Sequence, residues 1–266
     1  MRTVDLAWTS WGNPHLQSIL LVHGLGGCAR IWQPLASLLA DRYYLVAPDL
    51  RGHGASPVPG SYTADELLAD LSGFVEARRL EKFVIVGHSF GGLLATEYAV
   101  RNPAQVEALI SMDINIPPLE CHLDHLRRAV AKPHPVFATR EDAIDYMRRT
   151  VAPAATQEIL EAVTDALLVA NGSGHLTLNF DREVLRHAVA FAAIADLTRV
   201  QCPAIFLRGS DSVVMDRAGG IEMLHRLESA RLVQIPRAGH FVFLDNPQVV
   251  AQEVRLFLSS DASRAS

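Results

Sequence analysis

The stretch Phe83-Val84-Ile85-Val86-Gly87-His88-Ser89-Phe90-Gly91-Gly92-Leu93-Leu94-Ala95-Thr96-Glu97-Tyr98-Ala99 decides how the rest of the chain is read. Phe83 to Val86 is a short, apolar, β-branched run of the kind that fills a buried parallel strand. Gly92 to Ala99 reads as a helix. Between them stands Gly87-His88-Ser89-Phe90-Gly91, so a strand turns sharply into a helix with a serine at the bend. Such a bend pushes the serine Oγ out of the sheet to where a substrate reaches it, and the flanking glycines let strained backbone pass without Cβ clashes. The pattern G-x-S-x-G by itself arises by chance in about one chain in ten of this length at ordinary Gly and Ser usage. The strand before it and the helix after it make it specific.

Outward from this turn, apolar runs recur with helical patterns between them: Ile19 to Val22, Tyr43 to Ala47, Ala108 to Ile110, Ala204 to Leu207 and Arg231 to Ile235. That alternation predicts an α/β fold, a doubly wound and mostly parallel sheet with helices on both faces. Val4 to Trp11 reads as an extra antiparallel edge strand. The rhythm stops after Ile116-Pro117-Pro118 and resumes near Val200. In the gap, Thr139 to Val151 and Thr156 to Ala170 read as helices, the second closed by Asn171-Gly172. The expected organisation is a core of residues 1–114 and 197–266 interrupted by a helical cap over residues 115–196.

Composition limits the function classes. The 266 residues are 49% hydrophobic, enough for one large core, and the net charge of −5 gives no electrostatic reason to expect nucleic acid or an anionic membrane as partner. Cys28, Cys121 and Cys202 lack C-x-x-C spacing, which suits three free thiols in a reducing compartment. Met1 to Asp5 has no apolar leader, and no stretch reaches the ~18 apolar residues of a membrane span. These features predict a soluble cytoplasmic protein, a monomer or homodimer, whose partner is a small-molecule substrate.

Two further loops carry chemistry. Leu21-Val22-His23-Gly24-Leu25-Gly26-Gly27 ends a strand in a glycine-rich loop, and the N–H groups of Leu25 and Phe90 are the candidates for an oxyanion hole. The spacing matches neither a dinucleotide-binding loop nor a P-loop. Ala238-Gly239-His240-Phe241 follows the last strand, and His240 there is placed to act as general base and then general acid. His53, in the turn-rich loop Asp49 to Ser56, reads as structural.

Taken together, these residues resemble the α/β-hydrolase fold enzymes over nearly the whole chain outside the cap. The resemblance rests on His23-Gly24, on Asp49 through Ser56, on Gly87 to Gly91 and on Gly239-His240. It implies a Ser-His-Asp triad with no cofactor and no metal. Most members carry the acid three residues after the glycine that ends the penultimate strand, where Gly209-Ser210-Asp211-Ser212 has a serine and Asp211 stands one residue early. A second group takes its acid from the strand after the elbow helix, and Ser111-Met112-Asp113-Ile114 is similar to the small esterases of that group. Asp113 is therefore the preferred acid and Asp211 the alternative; Asp216 reads as a helix N-cap.

His23, Gly24, His88, His175 and Phe241 are expected around the substrate pocket. Trp32, Phe90, Phe137, Phe180 and Phe191 are further candidates for its apolar wall. His122 and His125 share a helical face, but no second cluster completes a metal site. Cys28 adjoins the glycine-rich loop without a neighbouring histidine, so Ser89 is the better nucleophile. The expected activity is hydrolysis of a small, largely apolar ester, lactone or thioester through an acyl-enzyme. Carbon–carbon bond hydrolysis, perhydrolysis and acyl transfer are alternatives with the same triad, and a hydrolase-like ligand receptor is a non-enzymatic one. Serine at position 89 argues against epoxide hydrolases and dehalogenases, which resemble this fold but place aspartate there.

Overall fold

The computed structural model describes residues 3–116, 118–130, 132–191, 196–227 and 229–262. In chain order they form β1 (Trp8–Trp11), β2 (Ser18–Val22), α1 (Gln33–Leu39), β3 (Tyr44–Pro48), α2 (Ala64–Ala77), β4 (Phe83–His88), α3 (Phe90–Arg101) and β5 (Val106–Met112). A segment then carries α4 (Glu120–Val130), β6 (Val136–Phe137), α5 (Arg140–Thr150), α6 (Gln157–Leu167), β7 (Leu168–Ala170), β8 (Leu176–Leu178) and α7 (Glu183–Phe191). The chain returns with β9 (Ala204–Gly209), α8 (Arg217–Arg226), β10 (Ala230–Ile235), α9 (Val242–Asp245) and α10 (Pro247–Ala262).

The main sheet runs β1-β3-β2-β4-β5-β9-β10, with β1 antiparallel and the other pairings parallel. Successive side chains of a strand point to opposite faces, and here both faces are covered. Leu20, Val22, Phe83 and Ile85 pack with Leu71 and Phe74 of α2 and Leu94 and Tyr98 of α3. Ile19, Leu21, Val84 and Val86 pack with Leu35 and Leu39 of α1, Phe243 of α9 and Phe257 of α10. The near-continuous apolar runs in the sequence are the direct result.

Buried polar groups brace the loops beneath this sheet end. Arg51 is buried and its Nε and Nη2 donate to Asp70 Oδ2 and Oδ1 on α2 at 2.5 and 2.8 Å. Asp49 Oδ1 accepts from Ala29 N and its Oδ2 from Ala55 N, tying two loops together.

Three details differ from expectation. The edge strand begins at Trp8, because Val4 N donates to Asp70 Oδ1 on α2 and draws the chain away from the sheet. The helix expected through Ala170 stops at Leu167, where the chain turns into β7. The inserted segment is not purely helical either: β6, β8 and β7 form a small antiparallel sheet. Strands of two or three residues are too short to show a period, and their hairpin turns at the Asn171-Gly172 pair that reads as a helix stop. By contrast, α5 begins where predicted, with Thr139 and Asp142 capping each other's backbone N–H groups.

Candidate active site

Ser89 joins β4 to α3 with φ 53° and ψ −123°, a left-handed backbone that a non-glycine residue adopts only when its surroundings hold it there. Ser89 N donates to Met112 O on the neighbouring strand at 2.9 Å, and Ser89 O accepts from Gly92 N at 2.8 Å. The glycines are needed for contact as well as for turning. A Cβ on Gly87 would lie 2.2 Å from Gly91 O, and one on Gly91 would lie 2.2 Å from Val22 O. The helix start is thereby pressed against the ends of two strands, which leaves Ser89 as the half-exposed residue of a buried run.

The loop after β10 brings His240 to the same place. Its Nδ1 lies 2.8 Å from Asp113 Oδ2, and the imidazole is 25% exposed whereas the carboxylate is wholly buried. Because a carboxylate only accepts, this bond fixes the proton on Nδ1 and leaves Nε2 with its lone pair free to take one. Asp113 itself has φ 51° and accepts two more hydrogen bonds, from Gly209 N at 2.9 Å and from Ser212 Oγ at 2.5 Å. Such donors hold the carboxylate still.

Asp211, the alternative acid, is exposed and accepts from Ser210 Oγ at 3.1 Å; among the described residues it makes no bond to His240. The sheet explains the difference. β5 lies between β4 and β9, so Asp113 at its end sits below the loops from both sides, whereas Asp211 has already left β9 and turned to solvent. Ser212 is a site residue that the sequence reading passed over. It occupies the position where most relatives of this fold are expected to carry the acid, and it donates to the carboxylate instead.

Buried histidines hold the surrounding loops. His23 Nδ1 lies 2.8 Å from Gly24 O and its Nε2 accepts from Leu50 N at 2.9 Å, so the ring is neutral with the proton on Nδ1. Burial pushes its pKa down to about 4. His53 accepts from Gly26 N on the glycine-rich loop at 3.2 Å and stacks on Phe180 of the inserted segment; burial lowers it to about 3. His88 Nε2 donates to His240 O at 3.0 Å, with its pKa well below the usual range through burial and then the neighbouring His240. Asp245 Oδ2 accepts from Gly239 N at 2.8 Å and its Oδ1 from Ala154 N at 2.9 Å, clamping the His240 loop to the inserted segment. His23 and His88 thus support the site from beneath rather than facing a ligand.

Ser89 and His240 line one cavity of about 380 Å³. Leu25, Phe90, Leu93, Ile114, Val213 and Val214 also line it, together with Pro118, Leu123, Leu126, Arg128 and Ala188 of the inserted segment. Gly24 lies behind the serine, where a Cβ would come 3.1 Å from Ser89 Cβ. Phe241 lines a separate apolar cavity of about 160 Å³ with Leu25, Met147 and Phe180. His175 does not reach either cavity: it is exposed on the β7–β8 hairpin beside Ser173. Trp32 is core, stacked on Phe243, and Phe137 is buried against Tyr146. The side chains of His122, His125 and Phe191 lie outside the described residues.

Among the described residues no group of His, Cys, Asp and Glu is arranged to hold a metal ion, and no helix is long and apolar enough to cross a membrane. The three cysteines are free, Cys121 exposed and Cys28 and Cys202 buried. Burial, with Asp49 nearby, pushes the Cys28 thiol up to about 11, which makes it a poor nucleophile.

Residues 19–253 match the sequence profile described as the alpha/beta hydrolase family. The chain is 28% identical to a proposed carbamate hydrolase, RutD, of Escherichia coli, with 86% of each protein covered. It is 24% identical to epoxide hydrolase 1 of Caenorhabditis elegans, over 97% of this chain and 69% of that protein. The crystal structure of E-2-(acetamidomethylene)succinate hydrolase superposes with a TM-score of 0.87 at 20% identity, covering 96% of each chain.

Proposed function

Because the chain belongs to the alpha/beta hydrolase family, we propose that it is a serine hydrolase acting on small, largely apolar carboxylic esters, lactones or thioesters. The observation that carries the reading is Ser89 and His240 on the wall of one cavity, with His240 Nδ1 2.8 Å from the buried Asp113. His240 Nε2 takes the Ser89 proton as Oγ attacks the carbonyl carbon, and Asp113 steadies the imidazolium that forms. The tetrahedral oxyanion is held by the N–H groups of Leu25 and Phe90, both on the cavity wall. His240 then gives its proton to the departing alcohol or thiol, leaving an acyl-Ser89 ester. A water that loses its proton to His240 opens this ester and frees the acid. No step calls for a cofactor or a metal. The inserted segment acts as the cap, since it supplies the outer wall and keeps bulk water away from the acyl-enzyme.

The carbamate hydrolase among the relatives extends the range to carbamates, whose carbonyl carbon is open to the same attack. The epoxide hydrolase relative does not carry over, because the family resemblance places an aspartate nucleophile in such enzymes and position 89 here is serine. The test is an organophosphonate probe followed by intact-mass and peptide mass spectrometry. One adduct on Ser89 is expected, absent in Ser89→Ala, together with loss of nitrophenyl-ester turnover in that variant. Unlabelled protein, or Ser89→Ala with wild-type turnover, refutes the assignment.

A further inference from the structure

Among the described residues, the wall of the 380 Å³ cavity is apolar apart from Ser89, Cys121, His240 and one side chain of fixed charge, Arg128. Resting on the reading of that cavity as the substrate site, we infer that Arg128 receives a carboxylate at one end of an otherwise apolar substrate, so that the preferred esters carry one acidic group.

The argument starts from α4. Arg127 and Arg128 are adjacent on this helix, and their guanidinium groups meet different surroundings. Arg127 Nη1 donates to Glu120 and Asp124 at 2.5 and 2.6 Å, closing an ion-pair cluster on the outer face. Arg128 instead joins Leu123 and Leu126 on the cavity wall, and its guanidinium has no hydrogen-bond, ion-pair or ring partner among the described residues. Arg128 is exposed where it borders the cavity, so its guanidinium is hydrated yet unpaired, and water is what an incoming anion would displace. Among the described residues no carboxylate of the lining pairs with it: Asp113, the acid behind the wall, is wholly buried and already accepts from Gly209, Ser212 and His240. A guanidinium offers a planar fork of donors matched to a carboxylate, and neighbouring apolar walls strengthen that pair relative to water. The residues to either side accommodate the carbon chain between the charge and the scissile carbonyl.

The charge could sit on the acyl part or on the leaving group, and two substrate pairs separate these. Nitrophenyl hydrogen glutarate is compared with nitrophenyl valerate, and acetoxybenzoate with phenyl acetate, in the wild type and in Arg128→Gln and Arg128→Lys. The expected result is a fall in kcat/KM of about tenfold or more for the acidic member of one pair in Arg128→Gln, mostly through KM. The neutral member should stay within about twofold, Arg128→Lys should recover part of the loss, and added salt should shrink the difference. Acidic and neutral esters changing in parallel overturns the inference while leaving the hydrolase reading intact. Failure of the hydrolase reading has a different signature: no ester turned over by the wild type and no labelling of Ser89. In that event glutarate is titrated calorimetrically into Ser89→Ala with and without Arg128→Gln. Binding lost with Arg128→Gln supports the inference, and binding that is absent or equal in both overturns it.

Discussion

Asp113 illustrates how a single side chain draws its role from what surrounds it. Its two oxygens accept from Gly209 N, Ser212 Oγ and His240 Nδ1, so the carboxylate is immobilised. Asp113→Asn keeps the shape but presents an N–H or a weaker acceptor to His240, and kcat on a nitrophenyl ester should fall by about 10³- to 10⁴-fold. Asp211→Asn, out in solvent, should stay within about twofold; equal losses in both variants would contradict the assignment. Ser212→Ala removes one donor and leaves two partners, so a kcat loss of about tenfold or less is expected. Circular dichroism should show all three variants folded.

The element that matters most is the turn from β4 into α3. Its glycines differ in kind from a glycine such as Gly73 on the exposed face of α2, around which an added Cβ meets nothing within 4 Å. In Gly91→Ala the new carbon would press on Val22 O and His23 O, both backbone, and neither can move without shifting β2. The expected cost is about 3 kcal/mol or more, seen as insolubility or a Tm lowered by about 10 °C. Gly73→Ala should instead raise Tm slightly, since alanine suits a helix interior better by about 0.5–1 kcal/mol. A Gly91→Ala protein with unchanged Tm would show that the close approach of helix and sheet is not needed.

At the scale of the whole molecule, acid sensitivity comes from the buried histidines. His23 is held near pKa 4, His53 near 3 and His88 well below 6.5, each chiefly by burial, whereas the unfolded chain binds those protons near 6.5. Between those limits the unfolded state carries more protons, so stability rises with pH and is lost as pH falls below about 6.5. For His23 the loss saturates near pH 4 at about 3 kcal/mol. Tm measured from pH 7.5 to 4.5 should decline continuously below 6.5, and the decline should be shallower in His23→Gln. A flat profile would mean that these rings titrate normally in the folded protein. His23 and His53 tie the loops after β2 and β3 to each other, and His88 ties the end of β4 to the loop after β10, so softening below pH 6 should reach the site before the sheet.

The amino-acid sequence by itself determined the alternation of strands and helices, the glycine-flanked bend at Ser89 and the loop position of His240. Each is legible because it is local: side-chain period, turn chemistry and the spacing of glycines act over a few residues. It did not separate Asp113 from Asp211, both of which follow a strand end; the preference for Asp113 rested on family resemblance. The choice belongs to the tertiary structure, because His240 meets its partner across 127 residues and only sheet order, register and the left-handed backbone at Asp113 bring the pair together. For the same reason the two- and three-residue strands of the inserted segment, the support from Ser212 and the place of Arg128 beside the cavity emerge only in three dimensions. A helix pattern tells which residues share a face, but which of its faces meets the cavity depends on how that helix packs.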